Sequence, residues 1–158
     1  MRVVFGADHA GFELKEYLIA QVRALGHEII DVGANSTAPA DYSDFAEAVG
    51  MAIIRNQADR GILICGSGVG AVASVNKIPG IRAGICHDCY SARQGVEHDE
   101  MNVLVLGARV VGFSLAHDLA RIFLGAKFSE EDRHKRRIEK LKKLEDRFLK
   151  KTEPPHGS

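Results

Sequence analysis

A cysteine at the end of an apolar run is the residue of this chain best placed to do chemistry. Cys65 follows the run Gly61–Ile64, and the glycine-rich turn Gly66–Gly70 comes directly after it. The run predicts a buried strand, and the following residues, Ala71–Val75, predict a helix. The N-terminus of a helix presents backbone N–H groups that favour negative charge, and a thiol there can be held partly as thiolate. One loop therefore offers a candidate base and a candidate cradle for an oxyanion.

A purely structural role for Cys65 is the alternative, because free cysteine commonly packs as a small hydrophobe. The glycine-rich turn favours a functional role, although many nucleotide and phosphate loops share a Gly-Ser-Gly-x-Gly pattern. The turn lacks the lysine of a P-loop, and the first predicted strand is not followed by the Gly-x-Gly-x-x-Gly of a dinucleotide site.

Further polar residues stand next to other predicted strands. Asp8 and His9 follow the first strand and Arg109 follows the last, so we expect them at the ligand-binding edge of the sheet with Cys65. His98 and Asp99 precede the last strand, and we expect them near the same rim. The alternatives are that Asp8 only caps a helix and that the others are solvated loop residues.

The segment Cys86–Cys89 contains a Cys-x-x-Cys pair. A zinc site usually needs a second pair of ligands, and a redox pair would be expected near the first helix. We therefore predict no metal site, and Cys86 is expected to pack in the core.

Strand-like and helix-like runs alternate along the chain, which predicts a parallel sheet covered on both faces. We expect one domain over residues 1–151, a three-layer α/β/α Rossmann-like fold with about five strands and a C-terminal helix. The predicted strands lie at Val3–Phe5, Glu28–Val32, Ile62–Ile64, Ile81–Cys86 and Val103–Leu106, with the longer helices at Phe12–Leu25 and Asp44–Asn56.

The C-terminal segment Ser129–Lys151 is charged and predicts a helix, with Ser129 at its N-terminus. At 100° per residue, four apolar residues form one stripe that should dock on the domain: Ile138, Leu141, Leu144 and Phe148. Arg133 and Arg137 fall at or inside this stripe, either as arginines snorkelling at its rim or as a clamp for a phosphate or carboxylate. Residues 152–158 are predicted to be disordered.

The 158 residues carry 21 basic and 21 acidic side chains, so the bulk charge suggests neither a nucleic-acid nor a membrane partner. No signal peptide or run of membrane-spanning length is visible. Three cysteines without a disulfide framework favour a reducing cytoplasm.

Together these motifs resemble the ribose-5-phosphate isomerase B family, which includes galactose-6-phosphate isomerase subunits. The resemblance runs from about Arg2 to about Phe148. Its landmarks are Gly6–Gly11, Asp41-Tyr42, Gly61–Gly70, Asn76-Lys77, Gly80–Ala83, Tyr90–Ala92, Glu97-His98, Asn102-Val103, Gly107–Arg109 and Arg133-x-x-x-Arg137.

The resemblance implies a metal-free isomerase without cofactors that interconverts D-ribose 5-phosphate and D-ribulose 5-phosphate. It implies that Cys65 is the base, and that Ser67 and the backbone N–H groups of Gly66–Gly70 hold the enediolate oxygens; Gly68 and Val69 belong to that segment. Ala71 stands where a second branch of the family has a glutamate base, which places this chain in the cysteine branch.

The resemblance also assigns the remaining site residues. It implies that His98 helps to open the sugar ring with Asp8 nearby, and that Tyr42 lines the sugar site. Four residues are implied to surround the phosphate: His9, Arg109, Arg133 and Arg137. Family members are dimers or tetramers with active sites across a subunit interface, so self-association is expected.

One substrate-contacting position departs from the family pattern. Asp99 stands where the family usually has asparagine, and a carboxylate accepts hydrogen bonds but cannot donate them as an amide does. The substrate could therefore be another sugar phosphate, such as galactose 6-phosphate, allose 6-phosphate or a tetrose phosphate. A non-catalytic phosphosugar-binding module is the alternative from a different class, since a fold does not fix a function.

Overall fold

A computed structural model describes residues 1–149 of the chain. The elements, in chain order, are β1 (Arg2–Ala7), α1 (Phe12–Ala24), β2 (Glu28–Asp31), α2 (Tyr42–Ile54), β3 (Arg60–Cys65), α3 (Val69–Val75), β4 (Ala83–Ile85), α4 (Cys89–Asp99), β5 (Val103–Gly107), α5 (Phe113–Gly125) and α6 (Asp132–Leu149). The predicted disordered tail, and the last two residues of the predicted domain, lie outside the described residues.

The five strands form one parallel sheet in the order β2-β1-β3-β5-β4. The predicted α/β fold with a five-stranded parallel sheet is therefore confirmed. Strand β3 lies at the centre, so the end of β3 has the end of β1 on one side and the end of β5 on the other.

Two apolar layers hold the helices on the sheet. Alternate residues of β3 point to opposite faces: Ile62 and Ile64 pack with α1 and α5, whereas Leu63 and Cys65 pack with α2 and α3. This alternation gives the three layers, and it directs the Cys65 side chain towards the α2–α3 face.

A glycine allows α1 to start directly above the end of β3. A Cβ atom on Gly11 would lie 2.5 Å from the carbonyl oxygen of Ile64, which is far inside normal contact. Gly11 therefore permits a backbone-to-backbone approach that brings the loop after β1 against the loop that carries Cys65.

The C-terminal helix docks by a narrower face than the sequence predicts. Of the predicted stripe only Ile138 is buried, whereas Leu141, Leu144 and Phe148 are 37%, 50% and 70% exposed. The prediction that the whole stripe docks on its own domain is wrong, because α6 packs beside α4 at the margin of the fold and its apolar face extends past that contact.

The helix also starts later than predicted. Its first residue is Asp132, three residues after Ser129, and the Ser129 hydroxyl accepts a hydrogen bond from the Glu131 N–H at 3.3 Å in the preceding turn. None of the helices within residues 1–149 has the length and apolar composition of a membrane span.

The Gly11 contact can be tested by substitution. Gly11→Ala is expected to lower the free energy of unfolding by about 1–3 kcal/mol, because the added methyl group must displace the Ile64 backbone. Gly125→Ala is the matched control, since a Cβ there meets no atom within 4 Å, and it should be neutral or stabilise α5 by up to about 1 kcal/mol. Urea unfolding of both variants measures the difference, and equal stabilities would contradict the close approach.

Candidate active site

Backbone hydrogen bonds join the ends of the three central strands. The Asp8 N–H donates to the Ile64 carbonyl at 3.2 Å, and the Ala108 N–H donates to the Cys65 carbonyl at 2.8 Å. The Arg109 N–H donates to the Gly66 carbonyl at 3.0 Å. The loops after β1, β3 and β5 are thus held side by side, as the sequence predicts for Asp8, Cys65 and Arg109.

Cys65 ends β3 between the loops after β1 and β5, and we call the edge of the sheet bordered by these three loops the cleft. Its side chain is 5% exposed, and its sulfur accepts a hydrogen bond from the Gly68 N–H at 3.0 Å. Gly68 has a φ of +90°, a conformation that suits glycine and turns its N–H back towards the sulfur. A donor in this position stabilises negative charge that develops on its acceptor.

The turn after Cys65 leads into α3, as predicted. The Ser67 hydroxyl accepts a hydrogen bond from the Val69 N–H at 3.2 Å, and the first bond of the helical pattern runs from the Val72 N–H to the Gly68 carbonyl. The backbone N–H groups of the first turn come before that bond, at the end of the helix where the dipole favours an anion.

A histidine that the sequence analysis gave no role holds the end of β5. His87 Nε2 accepts a hydrogen bond from the Gly107 N–H at 3.0 Å. Gly107 also lies under the glycine loop, because a Cβ there would be 2.6 Å from the Ser67 carbonyl oxygen. His87 therefore supports the strand end from which Arg109 emerges, and its position directly after a strand was the signal for it.

Arg109 packs across the glycine loop. A Cβ on Gly66 would lie 3.4 Å from Arg109 Nη1, and the arginine side chain is exposed at the mouth of the cleft. The guanidinium group can thus approach an anion bound above the loop.

Asp8 and His9 line the other side of the cleft. Asp8 is 8% exposed, and its Oδ1 accepts hydrogen bonds from the N–H groups of Ala10 and Gly11 at 3.0 and 3.1 Å. His9 Nδ1 accepts a hydrogen bond from the Ala40 N–H at 3.2 Å, so His9 connects the loop after β1 to the loop that follows β2. The helix cap considered for Asp8 is absent, because α1 begins after Gly11 and has no side-chain cap. Asp8 instead holds the turn that precedes the helix, and these hydrogen bonds fix its carboxylate at the strand end.

Tyr42 reaches the glycine loop from the start of α2. A Cβ on Gly70 would lie 2.6 Å from Tyr42 Cζ, so the phenol ring lies flat on the first turn of α3. Residues from four loops therefore meet within one chain, namely Asp8, His9, Tyr42, Cys65, Gly66, Ser67, Gly68, Val69, Gly70 and Arg109.

His98 and Asp99 do not join this cluster within one chain, so the prediction that they lie near the same rim is wrong. Helix α4 runs antiparallel to the strands and ends at Asp99, beside the amino end of β3, where Arg60, Val96 and Glu100 line a common cavity. The six residues of β3 put that edge roughly 17 Å from Cys65.

Arg133 and Arg137 also lie outside the cleft of their own chain. Both are exposed on α6, one turn apart, and Arg133 Nε donates to a carboxylate oxygen of Glu131 at 2.9 Å. This ion pair lowers the pKa of Glu131. The single chain therefore presents two separate groups of predicted site residues.

The two cysteines that follow β4 differ in their surroundings, because Cys86 is in the core and Cys89 is on the surface. Cys86 is buried with its sulfur 3.9 Å from Met101 Sδ, and burial raises the pKa of its thiol to about 11. Cys89 is exposed at the start of α4. Within residues 1–149, no three His, Cys, Asp or Glu side chains come together as ligands for a metal would.

A buried histidine was missed by sequence reasoning. His134 is fully buried on the inner face of α6 and its ring stacks on His98. The available signal was helical periodicity, because His134 lies one turn before Ile138 and therefore on the same docking face of the helix.

Comparison with known proteins assigns the family. The family model described as Ribose/Galactose Isomerase matches residues 3–141. The chain belongs to this family. Ribose-5-phosphate isomerase B of Escherichia coli (strain K12) is 42% identical over 146 residues, covering 92% of this chain and 97% of that protein. D-erythrulose-4-phosphate isomerase 2 of Mycolicibacterium smegmatis is 37% identical over 134 residues, covering 83% and 88%.

Solved structures agree with the fold. Ribose-5-phosphate isomerase B of Clostridium thermocellum matches with a TM-score of 0.91 at 40% identity, covering 94% of this chain and 99% of that one. Ribose-5-phosphate isomerase B of Mycoplasma genitalium, solved with bound ribulose-5-phosphate, matches with a TM-score of 0.87 at 35% identity, covering 92% and 96%. The chain is therefore an isomerase of the ribose-5-phosphate isomerase B type, acting on sugar phosphates, and the alternative of a non-catalytic binding module is set aside.

Proposed function

We propose that this isomerase interconverts D-ribose 5-phosphate and D-ribulose 5-phosphate through an enediolate, with Cys65 as the base. The observation that carries the proposal is the position of the Cys65 sulfur, which lies at the carboxyl edge of the central strand with the Gly68 N–H 3.0 Å away. The names of the relatives from Escherichia coli and Clostridium thermocellum support the choice of substrate.

In the proposed reaction Cys65 takes the proton from C2 of the open-chain aldose. The electron pair of that C–H bond forms the C1–C2 double bond, and the carbonyl electrons move to O1. Return of the proton from Cys65 to C1, together with transfer of the O2 proton to O1, forms the C2 carbonyl and gives the ketose. The Ser67 hydroxyl and backbone N–H groups of Gly66–Gly70 are proposed to stabilise the oxygens on which negative charge develops, which is the work that metal ions do in some other isomerases. Within this loop the Gly68 N–H already donates to the Cys65 sulfur, so its part is to stabilise the thiolate.

The phosphate and the closed sugar ring require further groups. His9 and Arg109 of the same chain are proposed to bind the phosphate dianion together with Arg133 and Arg137 of a second copy. His98 of the second copy is proposed to move a proton at the ring oxygen, with Asp8 nearby, and Tyr42 lines the sugar.

A second copy is needed because one chain does not complete the site. The cleft around Cys65 contains His9 and Arg109 but not His98, whose helix ends at the opposite edge of the sheet. The exposed apolar residues Leu144 and Phe148 of α6 give a second copy a surface to cover. A two-fold dimer with the α4–α6 side of each chain over the other's cleft would form two equal sites.

Another sugar phosphate is the second candidate substrate, and Asp99 is the observation that favours it. Its side chain is exposed beside α6, where a cavity of about 300 Å³ is lined by Arg82, Gln94 and Leu141 among others. An acceptor-only carboxylate favours a sugar that offers one more hydroxyl donor. The relative named D-erythrulose-4-phosphate isomerase 2 widens the set of sugars to be compared.

Removing the thiol tests the base. Cys65→Ala is expected to lower kcat by about 10²–10⁴-fold, the usual contribution of a general base, while circular dichroism and thermal melting stay close to wild type. Cys89→Ala is the matched control, because that cysteine is exposed and outside the cleft, and it should keep full turnover. Retained turnover of ribose 5-phosphate in Cys65→Ala would rule out this base.

Mixing two inactive variants tests the shared site. Cys65→Ala and His98→Asn damage opposite edges of the chain, so in mixed dimers one of the two sites contains neither change. Co-refolded at equal amounts, they should regain up to about a quarter of wild-type activity, since half of the dimers are mixed. Cys65→Ala mixed with Cys65→Ser should regain none. Failure of the first mixture to recover would contradict a site built from two copies.

A substrate comparison decides between the two candidate sugars. The expected result is the highest kcat/KM with ribose 5-phosphate among ribose 5-phosphate, allose 6-phosphate, galactose 6-phosphate and erythrose 4-phosphate, with chelator present throughout. Asp99→Asn is assayed beside the wild type and should raise kcat/KM for ribose 5-phosphate, because it restores a donor near the sugar. If the wild type prefers another of these sugars and Asp99→Asn loses that preference, the second candidate substrate is established instead.

A further inference from the structure

The imidazoles of His98 and His134 are stacked. Their ring centroids lie 4.1 Å apart with an angle of 24° between the planes, so one face of the His98 ring is covered by His134. His98 belongs to α4 and is half-buried, whereas His134 belongs to α6 and is fully buried. The contact therefore joins a proposed catalytic side chain to a residue that has no role in the proposed reaction.

Two hydrogen bonds through Ser129 link the His134 ring to the backbone of α4. Its Nδ1 lies 2.5 Å from the Ser129 hydroxyl oxygen, and the Ser129 N–H donates to the carbonyl of Glu97 at 2.9 Å. Glu97 directly precedes His98 in the sequence. The imidazole of His134 is thus fixed through Ser129 to the same turn of α4 that carries His98.

The stacked ring is retained at a cost to stability. His134 Nε2 is the buried side-chain nitrogen or oxygen atom of residues 1–149 that has no hydrogen-bond partner. A buried polar atom without a partner destabilises a fold, and an apolar ring of similar size would avoid the penalty. A histidine in this place therefore calls for a reason other than packing.

The remaining contacts of His98 leave one nitrogen for chemistry. His98 Nδ1 lies 3.0 Å from Gln94 Nε2, one turn earlier on α4. With Nδ1 held by Gln94 and one ring face held by His134, the ring plane is fixed from two directions, and Nε2 is the atom that can meet a substrate. General acid–base catalysis depends on this kind of fixed geometry.

We propose that His134 is a positioning residue for His98, holding its ring by stacking so that Nε2 faces the ring oxygen of the sugar. The proposal rests on the proposed function, in which His98 opens the sugar ring. His134 does not touch the substrate, and it acts on the His98 of its own chain, which serves the cleft of the second copy.

His134 supports this role as a neutral ring. Burial lowers its pKa, and the neighbouring His98, Arg133 and Arg137 lower it further, while Glu131 opposes them. Because the pKa in the folded protein is below the unfolded value of about 6.5, protonation in acid favours the unfolded state. The titration of His134 therefore costs no stability above about pH 6.5, and the stability of the fold decreases as the pH drops from about 6.5 to the lowered pKa.

Three substitutions separate the ring from its hydrogen bond. His134→Phe keeps an aromatic ring against His98 and removes the bond to Ser129. His134→Asn keeps a group that can bond to Ser129 and removes the ring. Ser129→Ala is the matched control for the bond alone, and thermal melting establishes that each variant is folded.

Two activity measurements separate ring opening from proton transfer at carbon. Turnover of ribose 5-phosphate, which is mostly a closed ring, needs both steps. Exchange of solvent deuterium into C1 of ribulose 5-phosphate, which is open-chain, needs Cys65 but no ring opening. We expect His134→Asn to lower turnover about 10–100-fold while exchange changes less than about twofold, and His134→Phe to stay close to wild type in both.

Nitrogen chemical shifts of His98, measured by NMR, provide a readout that does not depend on activity. His134→Asn should change the balance of the two His98 tautomers, because the ring is no longer held in one orientation, and His134→Phe should leave that balance as in wild type. Unchanged His98 signals in His134→Asn, or an equal fall of turnover and exchange, would overturn the positioning role. Absence of turnover and exchange in the wild type would instead overturn the proposed function, and the NMR comparison would still decide on the stack.

Discussion

The close contact between the ends of β1, β3 and β5 is the constraint on which the rest of the site depends. Backbone atoms meet there almost directly, because Gly11 lies against the Ile64 carbonyl and Gly107 lies against the Ser67 carbonyl. Hydrogen bonds from Asp8 and Ala108 to the backbone of β3 keep the loops level with one another. A side chain at either glycine would push a loop away from Cys65, so the chemistry of the thiol and the packing of the sheet cannot vary independently.

The same geometry divides the proposed chemistry between two edges of the fold. Parallel strands bring their carboxyl ends to one edge, and each following helix returns to the other edge. Cys65 ends a strand and His98 stands near the end of a helix, so the connectivity alone separates them within one chain. A reaction that needs both residues, as the proposed one does for ring opening and for proton transfer at carbon, would require two copies, and this links the proposed activity to assembly.

The sequence predicted the residues at the carboxyl edge of the sheet better than the positions of His98 and His134. Alternating strands and helices predicted the sheet, and Asp8, Cys65 and Arg109 were correctly expected at one edge because each directly follows a strand. His98 was wrongly expected near that rim because it precedes a strand, and its position on the returning helix was overlooked. The buried role of His134 depends on where α6 packs, and the sequence analysis counted only the apolar residues of that segment as its docking stripe, so His134 was left out.

The exposed apolar residues of α6 and the stacked histidines are consequences of one arrangement. Ile138 and His134 face α4, which leaves Leu144 and Phe148 beyond the contact and turns Arg133 and Arg137 outward. A helix that only packed on its own domain would not need two arginines one turn apart on its exposed surface. A helix that completes another copy's site would need both features, an apolar face to attach it and cations to receive a phosphate. The burial pattern of α6 therefore supports the same inference as the connectivity of strands and helices, namely that each proposed site is shared between two copies.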